Sequence, residues 1–205
     1  MNRENQLVIA GIGTEIGKTV VSAILTKALK AHYWKPIQSG NIEDGDSFQV
    51  KKWVNEENLH IFPSTYELTQ PLSPHTAAEI DGVEIDLEKF HLPQSEDPLI
   101  VELAGGIMVP LNSKHTNLDL LKKLGLPVVL VSKNYLGSIN HTLLTFEQLK
   151  AKQIPIKGII FNGPANPSGE TFIENYTQLP VLLRIQQEPF INEEIIEKYA
   201  KQFQL

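Results

Sequence analysis

The chain has 205 residues, 41% hydrophobic and 20% charged, with a net charge of −6, 13 Gly, 13 Pro and no Cys. Residues 1–205 are enough to bury a full core in a single domain, and the acidic balance advertises no face for nucleic acid. The absence of cysteine excludes disulfides, iron–sulfur clusters and thiolate metal sites, while the polar opening and short apolar runs predict neither secretory leader nor membrane span, hence a soluble cytoplasmic protein.

The first apolar run, Leu7-Val8-Ile9-Ala10, reads as a buried strand. Val20, Val21, Ile24, Leu25, Ala28 and Leu29 then recur at helical spacing, up to about Ala31. Between them lies Gly11-Ile12-Gly13-Thr14-Glu15-Ile16-Gly17-Lys18-Thr19. A glycine-rich turn between strand and helix, opening the helix on Gly-Lys-Thr, is the setting of a phosphate-binding loop. Glycines let successive N–H groups converge on a phosphate, and the helix start adds partial positive charge. Lys18 supplies a full charge, and the Thr19 hydroxyl is placed to coordinate magnesium. The loop is of a deviant type, because Ile12 stands where the usual pattern has its first glycine.

Tyr33 to Gln38 predicts one short strand, with Pro36 confining it to an edge or to a strand end. Asn41 to Gly45 is a turn-rich loop, after which Asp46 or Ser47 caps a helix carrying Phe48, Val50, Trp53 and Val54. From Glu56 to Pro98 the pattern weakens into loops and short helices over the sheet, with Ser73-Pro74 a helix start. Alternation then resumes: strand 99–104 closed by Gly105-Gly106, helix 117–124 ended by Gly125, strand 127–131 and helix 137–150. Strand 156–161, helix 171–176, strand 181–185 and helix 192–203 complete it. Near-continuous apolar strands alternating with helices predict an α/β, single-domain P-loop fold whose mostly parallel sheet carries helices on both faces.

In such sheets ligands sit beyond the carboxyl ends of the strands. Lys35, Asp46, Glu102 and Asn162 fall there. A carboxylate inside Leu99-Ile100-Val101-Glu102-Leu103-Ala104 is costly unless paired. Glu102 is therefore either half of an ion pair or, with Thr19 and Asp46, part of an oxygen shell for magnesium, and the phosphate loop favours the metal. Taken alone, Lys35 reads as a solvated lysine and Asn162-Gly163 as a turn. The helix start at Gly137 offers free N–H groups to an anion, as every helix start does. His75, His115 and His141 lack metal-ligand spacing.

These residues, in this order, resemble the dethiobiotin synthetases. The resemblance is carried by Gly11 to Thr19, Tyr33 to Gly40, Leu72-Ser73-Pro74-His75, Val101 to Gly106 with Pro110-Leu111, and Leu136 to His141, and so covers most of the chain. Lys35-Pro36-Ile37-Gln38-Ser39-Gly40 and Leu136-Gly137-Ser138-Ile139-Asn140-His141 are its most specific pieces. It implies a homodimeric ligase of biotin synthesis that uses ATP as cosubstrate and Mg2+ to join CO2 to 7,8-diaminopelargonic acid, closing a ureido ring. By the same resemblance Lys18 and Lys35 are catalytic, Lys18 on the phosphates and Lys35 on the carbamate and γ-phosphate. Thr19, Asp46 and Glu102 would hold the metal. Thr14, Glu15, Ile16, Gly17, Val20, Leu103, Ala104, Gly105, Asn162 and Gly163 would complete the ATP site, Asn162 at the adenine. Ser39 would touch the diamine, and Gly137, Ser138, Ile139 and Asn140 would take the substrate carboxylate across the dimer interface.

Three departures stand out. Leu103 replaces the first glycine of the family's Glu-Gly-Ala-Gly-Gly, which alters the fit if that backbone needs an unusual dihedral or a close approach to ATP. The link from the first helix to Lys35 is shortened, so the helix end must be rebuilt. Gln186-Gln187-Glu188 stands where the family has a proline-bearing segment near the adenine. Rival nucleotide proteins fit less well. A GTPase motif is missing, since Ser132-Lys133-Asn134-Tyr135 lacks the Asp; Gly13 stands where partition ATPases carry an extra lysine; and relatives of the nitrogenase iron protein need cysteines. A nucleotide-binding regulatory protein without turnover remains the alternative.

Overall fold

The computed structural model describes residues 6–40 and 43–203. Part of the expected turn-rich loop, Asn41 and Ile42, and the polar opening Met1 to Asn5 lie outside the described residues. The chain runs β1 (Gln6–Gly11), α1 (Lys18–Leu29), β2 (His32–Trp34), β3 (Ile37–Ser39), α2 (Asp46–Val54), β4 (Ile61–Phe62), β5 (Tyr66–Leu68) and α3 (Pro74–Ile80). It continues β6 (Leu99–Gly106), α4 (Asn117–Leu124), β7 (Val128–Lys133), α5 (Ser138–Ala151), β8 (Ile156–Asn162), α6 (Pro167–Thr177), β9 (Val181–Ile185) and α7 (Glu193–Ala200). Seven strands form one sheet in the order β4-β2-β6-β1-β7-β8-β9, and every pairing in it is parallel. The central strand β1 is flanked by β6 and β7, so the order reverses around it and opens a crevice at its carboxyl end.

Strand alternation sorts the side chains into two layers. Leu7, Ile9, Tyr33, Ile100, Val129 and Val131 face α1, α2 and α7. Val8, Ala10, Trp34, Val101 and Leu103 face the other way, toward α3 and α4. Helices thus cover both faces, as the continuous apolar strands require. Lys30, in the left-handed conformation at φ 50°, ends α1, and the Ala31 N–H bonds back to Thr26 O at 2.9 Å. That tight C-cap is how the shortened link enters β2 at His32 directly.

Two expectations are corrected. The single strand over Tyr33 to Gln38 is two strands in two sheets: β2 lies inside the main sheet between β4 and β6, and β3 pairs with β5 in a separate two-stranded sheet. Pro36, without an N–H, cannot continue the ladder. Its carbonyl accepts instead from the N–H groups of Thr65 and Tyr66 at 2.9 and 3.1 Å, turning the chain away. The region 56–98 also holds the strands β4 and β5, not only loops and short helices. Smaller shifts have local causes. Gly45, not Asp46 or Ser47, caps α2, because the Asp46 carboxylate is engaged elsewhere. Asn166 starts α6 early by accepting from Gly169 N at 3.2 Å.

The carboxyl end of β6 is pinned by α4. Asn117, wholly buried, donates through Nδ2 to Ala104 O at 2.6 Å and Gly106 O at 2.9 Å. The helix itself opens on Thr116, whose N–H and hydroxyl reach the Asp119 carboxylate at 2.8 and 3.1 Å. The Thr116 N–H, foremost, holds the Asp119 carboxyl below the ordinary aspartate value. A group lowered in this way stabilises the fold above its unfolded pKa and loses that contribution as pH falls through the folded one. Asp119→Ala should therefore lower urea-unfolding stability by about 1 kcal/mol at pH 7, and the gap to the parent should close in acid.

Candidate active site

The phosphate loop, Ile12 to Gly17, leaves the end of β1 as a run of bends. Ile12 N donates to Val131 O at 3.2 Å, and no positive φ occurs until Glu15. Nothing at Ile12 requires glycine, which is why an isoleucine can stand there and pack on the core. Glu15 at φ 57° and Gly17 at φ 91° flank Ile16, whose φ is not positive, and such alternation turns backbone N–H groups to one side. Gly17 is needed for space as well: a Cβ there would lie 3.0 Å from Asn162 Cγ. Lys18 is 7% exposed, and its Nζ donates to Gly13 O at 2.8 Å. Burial pushes the Lys18 ammonium down to about 8, against the opposing charge of Glu102.

A buried polar cluster sits beside the loop. Glu102 is 1% exposed, deep in β6, on the face turned toward α1. Thr19, in the first turn of α1, donates through Oγ1 to Asp46 Oδ1 at 2.6 Å and lies 3.0 Å from Glu102 Oε1. Tyr33 OH donates to Glu102 Oε2 at 3.0 Å. Lys35, just past the end of β2, places Nζ 3.3 Å from Glu102 Oε1 and bonds the Asp46 carboxylate too. Burial works against the Lys35 ammonium, but Glu102 and Asp46 outweigh it and leave its pKa above the ordinary lysine value. Asp46 is the mirror case: burial would raise it, and Lys35 more than reverses this. Burial and then Glu102 push the Tyr33 phenol well above its usual range, so it remains a neutral donor.

Lys35 is thus no solvated lysine, and Glu102 has an ion-pair partner. The same geometry gathers Thr19, Asp46 and Glu102 into one oxygen-only set, suited to a hard cation that completes its shell with water or phosphate. Among the described residues no cluster of three His, Cys, Asp or Glu side chains is shaped to hold a metal, so the two carboxylates and one hydroxyl would be the protein's whole share.

Beside this cluster opens a cavity of about 460 Å³ lined by Thr14, Lys35, Gln38, Ser39, Ser73 and Gly105. Gln38 Oε1 and Ser39 Oγ are buried in its wall without a hydrogen-bond partner. Tyr33 and Gln38 were not legible as site residues. Their only signal is a polar group inside a short apolar strand. Leu103 is accommodated: its side chain is 1% exposed in the core on the face opposite Glu102, and its φ is not positive. The positive φ falls at Gly105, 74°. Ala104 is half-buried beside it, and Val20 packs against the α1 layer.

The remaining expected residues lie elsewhere. Asn162, at the end of β8, donates through Nδ2 to Ile16 O at 2.7 Å, and Gly163 follows at φ 94°. Gly137, Ile139 and Asn140 line a different cavity of about 760 Å³ with Tyr135 and Pro164. Ser138 is 1% exposed; its N–H donates to Tyr135 O at 3.0 Å and its hydroxyl accepts from Tyr135 N at 3.3 Å. One chain therefore does not bring Ser39 and Asn140 into the same cavity. Gln186 to Glu188 is held by α7, with Tyr199 OH donating to Glu188 Oε1 at 2.6 Å and accepting from Gln186 N at 3.0 Å. A cavity of about 710 Å³ around His32, His60 and Asp97 is at the amino ends of the strands, away from the phosphate loop. Tyr33→Phe deletes a donor to a buried carboxylate and should cost about 1–3 kcal/mol in urea unfolding.

Comparison with known proteins supplies an independent line. Residues 5–194 match a family model described as an AAA domain. The chain is 49% identical over 195 residues to the ATP-dependent dethiobiotin synthetase BioD of Christiangramia forsetii, covering 95% of this chain and 94% of that protein. It is 47% identical to the protein of the same name from Cytophaga hutchinsonii, covering 94% and 93%. Among solved structures, a ParA family ATPase from Chlorobium tepidum superposes with a TM-score of 0.59 at 17% identity, over 97% of this chain and 91% of that one. The cell division ATPase MinD of Pyrococcus furiosus gives 0.58 at 14%, over 97% and 98%. These two similarities speak to the fold alone.

Proposed function

The chain belongs to the ATP-dependent dethiobiotin synthetase family, and from that premise we propose how its residues divide the work of making dethiobiotin from ATP, CO2 and 7,8-diaminopelargonic acid. The reaction is that of a cyclo-ligase. One amine adds CO2 to give a carbamate; the carbamate oxygen takes the γ-phosphoryl group of ATP, releasing ADP. The second amine then attacks the carbamoyl carbon of that mixed anhydride, closes the ring and expels phosphate. The observation that carries this reading is the convergence of Lys18, Thr19, Lys35, Asp46 and Glu102 at the carboxyl ends of the central strands. The relatives, named as ATP-dependent dethiobiotin synthetases, favour turnover over a regulatory protein without it.

Phosphoryl transfer leaves a protein little to do except position groups and offset charge. The inward N–H groups of the loop and Lys18 hold the phosphates from one side. Thr19, Asp46 and Glu102 would hold magnesium, which would offset phosphate charge during the transfer. Lys35 serves the opposite side, where carbamate and γ-phosphate, both anionic, must meet. Pro36 restricts the Lys35 backbone to extended conformations and so fixes where its stem begins. Ser39 lies on the wall of the neighbouring cavity, the place for the diamine. Asn162 and Gly163 border the nucleotide base, and Thr14, Ala104 and Gly105 flank the phosphates. The separation of Asn140 from Ser39 within one chain supports a homodimer, in which the Gly137–Asn140 helix start of a second copy meets the substrate carboxylate. The net charge of −6 favours small-molecule partners over nucleic acid, the setting proposed being the cytoplasm; no described helix is long and apolar enough to cross a membrane.

Phosphate release from ATP should depend on both the diamine and bicarbonate; release that ignores either would sink the reading. Lys35→Met keeps the stem and deletes the charge, so ring closure should slow by at least about 100-fold while ATP still binds. Turnover within a few-fold of the parent would make Lys35 a bystander. Glu102→Gln should abolish turnover and raise the magnesium concentration needed for ATP binding, measured by titrating magnesium at fixed nucleotide.

A further inference from the structure

A loop that turns its N–H groups toward a phosphate turns the intervening carbonyls the other way, and those carbonyls need partners of their own. Two of them are capped from outside. Lys133 Nζ donates to Glu15 O at 3.2 Å, and Asn162 Nδ2 donates to Ile16 O at 2.7 Å. Lys133 and Asn162 are register partners at the carboxyl ends of β7 and β8, so one strand pair presents both donors side by side. A glycine clears the way for one of them: a Cβ at Gly17 would strike the Asn162 amide. Glu15, meanwhile, sits at φ 57°, a conformation that a residue with a side chain holds only against a steric penalty.

We propose that Lys133 is a positioning residue, which together with Asn162 clamps the outward carbonyls of Glu15 and Ile16 and so keeps the phosphate loop in its anion-binding shape before nucleotide arrives. The proposal rests on the ATP-binding reading above and goes beyond it in assigning Lys133, which lies in the Ser132-Lys133-Asn134-Tyr135 string that carries no guanine motif. Lys133 acts here on the protein backbone, not on the phosphates. A clamp and a phosphate-binding charge therefore predict different things.

The test is titration calorimetry of MgATP and MgADP on the full chain at low and high salt, for the parent, Lys133→Met and Lys133→Arg, alongside melting curves and steady-state kinetics. Loss of the clamp should raise both Kd values by the same factor, about fivefold for one net hydrogen bond, at either salt concentration. The KM for ATP should rise with it, kcat should stay within about twofold, and the melting temperature should hold, since only one exposed bond is lost. Lys133→Arg, able to donate to the same carbonyl, should stay near the parent. Unchanged affinity in Lys133→Met would overturn the clamp. So would a loss larger for ATP than for ADP that disappears at high salt, because that is the mark of a charge acting on phosphates. A parent that binds neither nucleotide would sink the ATP reading and the clamp together, whereas a parent and a Lys133→Met variant that bind equally well sink the clamp alone.

Discussion

The site depends on satisfying one carboxylate, that of Glu102, where there is almost no water. Glu102 has its partners on three sides, from α1, β2 and the turn after β2. Lys35 supplies the counter-charge, Tyr33 and Thr19 the remaining bonds. Breaking such a buried pair from one side typically costs about 3–5 kcal/mol, because the orphaned charge cannot be rehydrated. Stability and chemistry are thus tied to the same side chains. Thr19, Tyr33 and Lys35 satisfy Glu102 here, and under the proposed function the same cluster would meet phosphate and metal.

Much of this was readable from residue order. The loop from Gly11 to Thr19 could be placed because a buried strand and a helical repeat bracket it, and Glu102 stood out as a charge in an apolar strand. The parallel strands β1, β6, β7, β8 and β9 follow from near-continuous apolar runs, which a sheet covered on both faces buries. What was not readable is of two kinds. The two strands β4 and β5 are only 2 and 3 residues long, too short for any periodicity to register, and exist because neighbouring backbone needs partners. Tyr33 and Lys133 owe their positions to cross-strand pairing, and pairing between residues far apart in sequence leaves no local trace.

The break at Pro36 shows how a local rule can carry a global result. A proline ends β2 at the point where Lys35 leaves the sheet and reaches Asp46 and Glu102. The chain then builds a second small sheet, β3 with β5, whose residues Gln38 and Ser39 form the wall of the adjoining cavity. One missing N–H thereby separates the part of the chain that engages the buried carboxylates from the part that shapes the space beside them. Leu103 makes the complementary point: a replacement at a family glycine is harmless where the backbone stays extended and the side chain turns into the core.

The bond between Asn162 and Ile16 joins residues 146 positions apart. As the chain leaves the ribosome, the nucleotide loop emerges well before the strands that complete it. Until β7 and β8 have been made and have docked, the carbonyls of Glu15 and Ile16 lack the donors of Lys133 and Asn162. ATP in the cell can stabilise this protein once it is nearly whole. It cannot protect the unfinished chain, so the earlier stages of folding must be carried by the apolar strands alone.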